Sequence, residues 1–236
     1  MSRVKSFNLS RGTRVGQYKI LSKLGRGCEG EVYNVQEVPT EARRVMKIVR
    51  HSRGERIRDR IHTAWYFEQL ATTGAVARYY HMGQWFFEDN EGVFYYVFEH
   101  LPGKNLQAWL EKHGRRISAQ KALKIAAAVA DALAKVHAKE LAVGDFWQGD
   151  NIIVLDRGSK VKICDSNPGR ADHPNEKFKN DIKEFRQLLR LIFDSNRSDP
   201  LFRKARRILD DGARQLPARK VLSHVHLKLS DLFKGG

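Results

Sequence analysis

The apolar pattern of this chain changes its period once, after the PGKN stretch at residues 102–105. Ahead of it, QYKILSKLG (17–25), EGEVYNVQEV (29–38) and RRVMKIVR (43–50) are rich in β-branched and aromatic residues, which predicts three strands. YYHMGQWFFED and GVFYYVFEHL predict two more, turning at DNEG (89–92). One helix interrupts them, RGERIRDRIHTAWYFEQLATTG (53–74), in which Ile57, Ile61, Ala64 and Glu68 recur at helical spacing. Glu68 is therefore expected on an otherwise apolar stripe. Behind PGKN the pattern turns helical: NLQAWLEKHG (105–114), SAQKALKIAAAVADALAKVHAKEL (118–141), KNDIKEFRQLLRLIF (179–193), LFRKARRIL (201–209) and ARKVLSHVHLKLSDLF (218–233). In the second of these Lys121, Lys124, Asp131 and Lys135 mark a narrow wet face on a mostly buried helix. A single hairpin, NIIVLD (151–156) and KVKICD (160–165) around RGS, breaks the helical run. Strands first and helices after predict an α+β class.

The chain of 236 residues, 42% of them hydrophobic, can bury a sizeable core. Its start, MSRVKSFNLSRG, lacks the apolar centre of a secretory signal, and IAAAVA, the longest apolar stretch, is too short to span a bilayer. A soluble cytoplasmic protein with no membrane partner is expected. Cys28 and Cys164 are the only cysteines, and without a C-x-x-C or His/Cys cluster they predict neither a disulfide framework nor a zinc site. The formal charge of +16, from 43 Lys+Arg against 27 Asp+Glu, favours acidic or nucleic-acid partners. No nucleic-acid-binding signature accompanies the basic clusters, and a solvated basic face is the simpler account.

Gly25, Gly27 and Gly30 follow the G-x-G-x-x-G pattern, with Val32 behind them. A dinucleotide-binding fold would place a helix after that pattern, whereas here a strand follows, so the glycines cap a β-hairpin. In that place they would let backbone N–H groups approach phosphate oxygens. Lys47 lies in the third strand between Met46 and Ile48. An ammonium facing inward there could hold phosphates, and it would need a carboxylate to fix it, which Glu68 could supply. Further on, AVGDFWQGDNIIVL (142–155) sets Asp145 behind a glycine and Asn151 six positions later, directly before an apolar strand.

Taken in order, these parts resemble the protein kinase superfamily, specifically the compact eukaryotic-like Ser/Thr kinases also found in bacteria. LGRGCEGEVY resembles the glycine loop, Lys47 the strand-three lysine with Val45 ahead of it, and Glu68 its helix partner. YYVFEHLPGKNL resembles the hinge that reads adenine, with Glu99 and Leu101 placed to do so, and VGDFWQGDNIIV resembles the catalytic loop, with Ile153 closing the nucleotide site. Asp165 resembles the metal-binding aspartate, Asp181 the buried aspartate that opens a late helix, and LPARKVLSHVHL the closing segment. The resemblance implies a two-lobed kinase-like domain over 1–236, with a β-rich lobe at 1–101 and a mainly helical, truncated lobe at 102–236. It implies ATP and Mg²⁺ as cofactors. Asp145 would orient the acceptor hydroxyl, Asn151 and Asp165 would hold Mg²⁺, and Lys47 would neutralise the non-transferred phosphates.

Several positions depart from that pattern. The aspartate-to-asparagine spacing is six rather than five, so Asp150 stands as an alternative metal ligand to Asn151. Val143-Gly144 replaces His-Arg, Trp147 replaces the lysine two places after the aspartate, and Ser166-Asn167 replaces Phe-Gly after Asp165. Only fifteen residues separate Asp165 from Asp181, without Ala-Pro-Glu. The expected reaction is transfer of the γ-phosphoryl group to Ser/Thr of a dedicated protein substrate. A small-molecule hydroxyl acceptor and a pseudokinase serving as a binding module remain alternatives. Cys28 and Cys164 are read as small packed residues rather than a redox pair.

Overall fold

The computed structural model describes residues 6–27, 29–50, 57–86, 92–113, 117–155, 160–167 and 174–234. The chain divides into two compact units, one holding Met1–Thr72 and Ala77–His100, the other Thr73–Val76 and Leu101–Gly236.

The first unit is an antiparallel sheet of β1 (Arg14–Val15), β2 (Tyr18–Arg26), β3 (Gly30–Glu37), β4 (Arg43–Arg50), β5 (Tyr79–Phe86) and β6 (Gly92–Glu99), in the order β1-β2-β3-β4-β6-β5. Successive side chains alternate between its faces. One face buries Tyr18, Ile20, Tyr33, Val35, Met46, Ile48 and Val97 beneath Phe7 and Leu9 of the N-terminal segment. The other carries Val32, Val45 and Lys47, together with Phe94, Tyr96 and Phe98 of β6, which face them across the β4–β6 register.

Helix α1 (Ile57–Ala71) covers part of that second face: the Phe67 ring meets Tyr96 at 5.5 Å and Phe98 at 5.0 Å, both edge-on. Its buried side is Arg60, Ala64, Phe67 and Leu70. The stripe expected from sequence is therefore displaced, since Ile57 and Ile61 are 56% and 54% exposed and Glu68 is exposed as well. Two apolar rows lie side by side on this helix, and the row with Phe67 takes the sheet while Trp65 stays 51% exposed beside Ile61.

Glu31 is the charged exception on the first face, 1% exposed among aromatic neighbours. Its two oxygens accept from Ser6 Oγ and Tyr33 Oη, from the Phe7 and Asn8 N–H groups at 3.2 Å each, and from Lys23 Nζ at 2.9 Å. The Arg50 guanidinium adds a stacking contact 4.4 Å from the Phe7 ring centre. A short N-terminal strap is thereby pinned across the sheet.

The second unit has a small antiparallel sheet, β7 (Lys104–Asn105), β8 (Ile152–Leu155) and β9 (Lys160–Ile163), and helices α2 (Leu106–His113), α3 (Ala119–His137), α4 (Pro174–Ile192), α5 (Pro200–Gln215) and α6 (Ala218–Lys234). Residues 73–76 belong here because Val76 bridges Ile163 in parallel and Ile163 N–H donates to Ala75 O at 3.0 Å. Side-chain caps start three of the helices: Asn105 Oδ1 accepts from Ala108 N–H at 2.8 Å, Ser118 Oγ from Lys121 at 3.2 Å and Asp199 Oδ1 from Leu201 at 2.7 Å. On α3 the expected wet face holds, with Lys124 and Lys135 exposed and the rows on either side buried. Helix α4 begins at Pro174, five residues ahead of its sequence reading, because proline suits a first helical turn and Glu176 pairs with Lys179 at 2.7 Å. Only residues 166–173 then separate Asp165 from a helix. Among the described residues no helix is long and apolar enough to cross a membrane.

Burial pushes the Glu31 carboxyl up, but the hydrogen bonds from Ser6, Tyr33, Lys23 and Asn8 outweigh it and hold the group down to about 2. The folded state thus binds fewer protons than the unfolded chain, and this stability is present above about pH 4.5 and lost as pH falls towards about 2. A shift of that size corresponds to roughly 3 kcal/mol. In urea titrations from pH 5 down to pH 2.5, Glu31→Gln should be less stable at the upper end and show a flatter acid slope than wild type.

Candidate active site

In the β-rich unit, the register of β3 on β4 sets Val32 opposite Lys47 on the face away from Met46 and Ile48. The Lys47 side chain is 16% exposed and its ammonium lies 3.3 Å from Glu29 Oε2 in the glycine hairpin. That hairpin closes with Gly27 N–H donating to Gly30 O at 2.9 Å. Its glycines are required for different reasons. A Cβ on Gly30 would sit 1.9 Å from Ile48 O, so the sheet itself demands glycine there. A Cβ on Gly25 or Gly27 would meet no atom of the chain within 4 Å. Glu68 stands near Tyr79, where its charge adds to burial and to Tyr96 in raising that phenol to about 12. Glu99 is engaged with Arg78, whose N–H donates to Glu99 Oε2 at 3.1 Å, and the Leu101 carbonyl accepts from Gly103 N–H at 2.9 Å. Cys28 lies outside the described residues, and Cys164 is a half-buried free thiol.

In the helical unit, two carboxylates one turn apart on α4 grip four successive N–H groups of the loop ahead of β8. Asp181, 1% exposed, accepts from Val143 N–H at 2.9 Å and Gly144 N–H at 2.8 Å. Glu184 accepts from Asp145 N–H at 3.0 Å and Phe146 N–H at 2.8 Å. Behind Asp181, His137 at the end of α3 contributes Nε2 at 2.8 Å, its ring packed 4.8 Å from Phe178 and its Nδ1 enclosed without a hydrogen-bond partner. The loop needs this grip because Gly144 and Asp145 both have left-handed backbones, at φ +64° and +56°. For an aspartate that conformation carries a cost of order 1 kcal/mol.

Four further bonds gather the expected ligands around this loop. Asn151 Nδ2 donates to Asp145 O at 2.7 Å, leaving Oδ1 as the acceptor of that amide. Cys164 N–H donates to Asn151 O at 3.0 Å, which fixes Asp165, the next residue, beside Asn151. Asp165 Oδ1 accepts from Ser166 N–H at 2.9 Å, and Ser166 Oγ donates to Val143 O at 2.8 Å. Asp150 is exposed, and its Oδ1 turns back onto Asn151 N–H at 3.1 Å. Ile153 pairs with Asn105 on one side and Lys162 on the other in the small sheet. Trp147 is 43% exposed.

A protein kinase domain model matches residues 18–191. The chain belongs to the protein kinase family. The match begins at the first residue of β2 and ends within α4, so it spans most of both units of this kinase, whose β-rich N-terminal part and helical C-terminal part follow that fold. No curated protein matches the chain in sequence. Within the helical unit of this kinase Asp145, Asn151 and Asp165 share one hydrogen-bonded cluster, whereas Lys47, Glu68, Val32 and Val45 belong to the β-rich unit. Sequence reasoning passed over Glu184 and His137. Their signal was available only as spacing: Glu184 stands three residues after Asp181, one turn along the same helix face.

Three variants separate these roles. Asp181→Ala strands three buried groups that each forfeit about 1–3 kcal/mol, and urea denaturation should show a loss of about 3 kcal/mol or more. Gly30→Ala should be strongly destabilised in the same assay while Gly27→Ala unfolds like wild type; equal effects would show that the hairpin, not the sheet, sets the demand for glycine at position 30.

Proposed function

We propose that this kinase transfers the γ-phosphoryl group of ATP to a serine or threonine hydroxyl of one dedicated protein substrate. The observation that carries the reading is the hydrogen-bonded cluster of Asp145, Asn151 and Asp165, whose carboxylate and amide oxygens suit a hard cation and an acceptor proton. Asn151 and Asp165 fit Mg²⁺, since the Asn151 amide spends its nitrogen on Asp145 O and keeps an oxygen for a ligand. Bound there, Mg²⁺ would supply charge neutralisation for the phosphates. Asn151 rather than Asp150 is assigned, because the Asp150 carboxylate caps the Asn151 backbone instead.

Asp145 holds the acceptor hydroxyl and takes its proton. In the β-rich unit, Gly25 and Gly27 leave room for phosphates and Lys47 supplies the cation, with Glu68 as the carboxylate that steadies it and Val32, Val45, Glu99 and Leu101 as nucleotide contacts. The span of residues 166–173 is too short for a broad substrate platform, which favours a single protein partner, and the charge of +16 favours an acidic one. Trp147, exposed where kinases of this type carry a lysine, supports a second reading in which a small molecule presents the hydroxyl.

Mg·ATP should raise the melting temperature, and absence of a shift at millimolar nucleotide would favour a binding module over an enzyme. With radiolabelled ATP, labelled protein against labelled metabolite decides the acceptor. Asp145→Asn should lower turnover by roughly 10²–10⁴-fold. Asn151→Ala should abolish the Mg²⁺ requirement for nucleotide binding while Asp150→Ala retains it.

A further inference from the structure

The geometry points to Glu184 as the positioning residue of the catalytic aspartate, holding the Asp145 backbone in its left-handed conformation so that its carboxylate is presented to the acceptor. This rests on the assignment of Asp145 as the proton acceptor. Successive N–H groups in left-handed and turn conformations form a concave, positively polarised nest that binds an anion. Here the anion is built in, as Glu184 takes the Asp145 and Phe146 N–H groups at 3.0 and 2.8 Å. The peptide on either side of the Asp145 Cα is thereby fixed, and Asn151 Nδ2 holds the Asp145 carbonyl at 2.7 Å. Phe146, fully buried, anchors the chain just beyond. With N–H, carbonyl and following N–H all tied, the Cα–Cβ direction of Asp145 is set by backbone bonds.

Holding Glu184 there has an electrostatic cost as well as a gain in hydrogen bonds. Burial raises its carboxyl above the ordinary value, and the charges of Asp181 and Asp145 add to that against the two N–H bonds. A half-buried carboxylate one turn from a second one is the kind of arrangement found at functional sites.

Backbone amide exchange by NMR and steady-state ADP formation from Mg·ATP test this on Glu184→Gln, which keeps the size of the side chain, and on Glu184→Asp, which keeps its charge. In Glu184→Gln, exchange at Asp145 and Phe146 should accelerate at least tenfold while Val143 and Gly144, held by Asp181, stay protected. Turnover should fall about 10–100-fold with KM for ATP within threefold of wild type, and Glu184→Asp should recover part of it. Unchanged exchange at Asp145, or exchange rising equally at all four residues, overturns the positioning role. If exchange changes as expected but Asp145→Asn turns over ATP like wild type, the assignment of Asp145 falls and the positioning role falls with it.

Discussion

The grip of α4 on residues 143–146 is the constraint from which the helical unit's site follows. Four consecutive backbone N–H groups cannot all find carbonyl partners in a loop that turns through two left-handed residues, and leaving them buried and unpaired would forfeit several kcal/mol. Two carboxylates at i and i+3 on one helix supply four oxygens with matching spacing. Because α4 is long and its apolar face, Phe178, Ile182, Phe185 and Leu189, is buried, the carboxylates ride on a rigid element rather than on another loop. Asp145, Asn151 and Asp165 inherit that rigidity through the bonds that tie them to the loop and to each other.

The β-rich unit uses the same device for a different end. Glu31 collects the Phe7 and Asn8 N–H groups, two hydroxyls and an ammonium, and thereby converts a terminal segment into a lid over the apolar face of the sheet. Acidic residues are the minority in this chain, 27 against 43 basic ones, and Glu31, Asp181 and Glu184 among them are spent on backbone N–H groups.

Much of the architecture was legible because period and composition carry it: the strands β2 to β6, the wet face of α3 and the two late helices follow from alternation and helical spacing. What was not legible depends on tertiary partners. Glu31 alternates in phase with Tyr33 and Val35, which puts a lone carboxylate on the apolar face, and only the N-terminal strap shows what satisfies it there. On α1 two apolar rows compete, and sequence spacing does not say that the aromatic residues of β6 will select Phe67 over Ile61. Glu184 sits in KEF as one more charged residue on an amphipathic helix, and its role appears only once a loop distant in sequence is laid against it. The candidate ligands were chosen through order and resemblance. Their clustering in the helical unit is a matter of hydrogen bonds that no local pattern encodes.

The six-residue spacing from Asp145 to Asn151 has a local cause. The loop between them folds into a tight turn in which Gly149 N–H donates to Phe146 O at 2.9 Å, and the Gly149 carbonyl accepts from Gln107 N–H at 3.3 Å at the start of α2. An added residue in such a turn lengthens the loop without moving either end, since one end is held by α4 and the other by β8. At the β8 end, Ile152 pairs with Ile163, so the residue just before it stands beside the residue just after Ile163, as the bond from Cys164 N–H to Asn151 O records. Position in the sheet, rather than the count from Asp145, therefore decides which side chain neighbours Asp165. An insertion that would displace a residue counted along the chain leaves it in place when counted along the strand, and the residue so placed beside Asp165 is Asn151, the ligand proposed above.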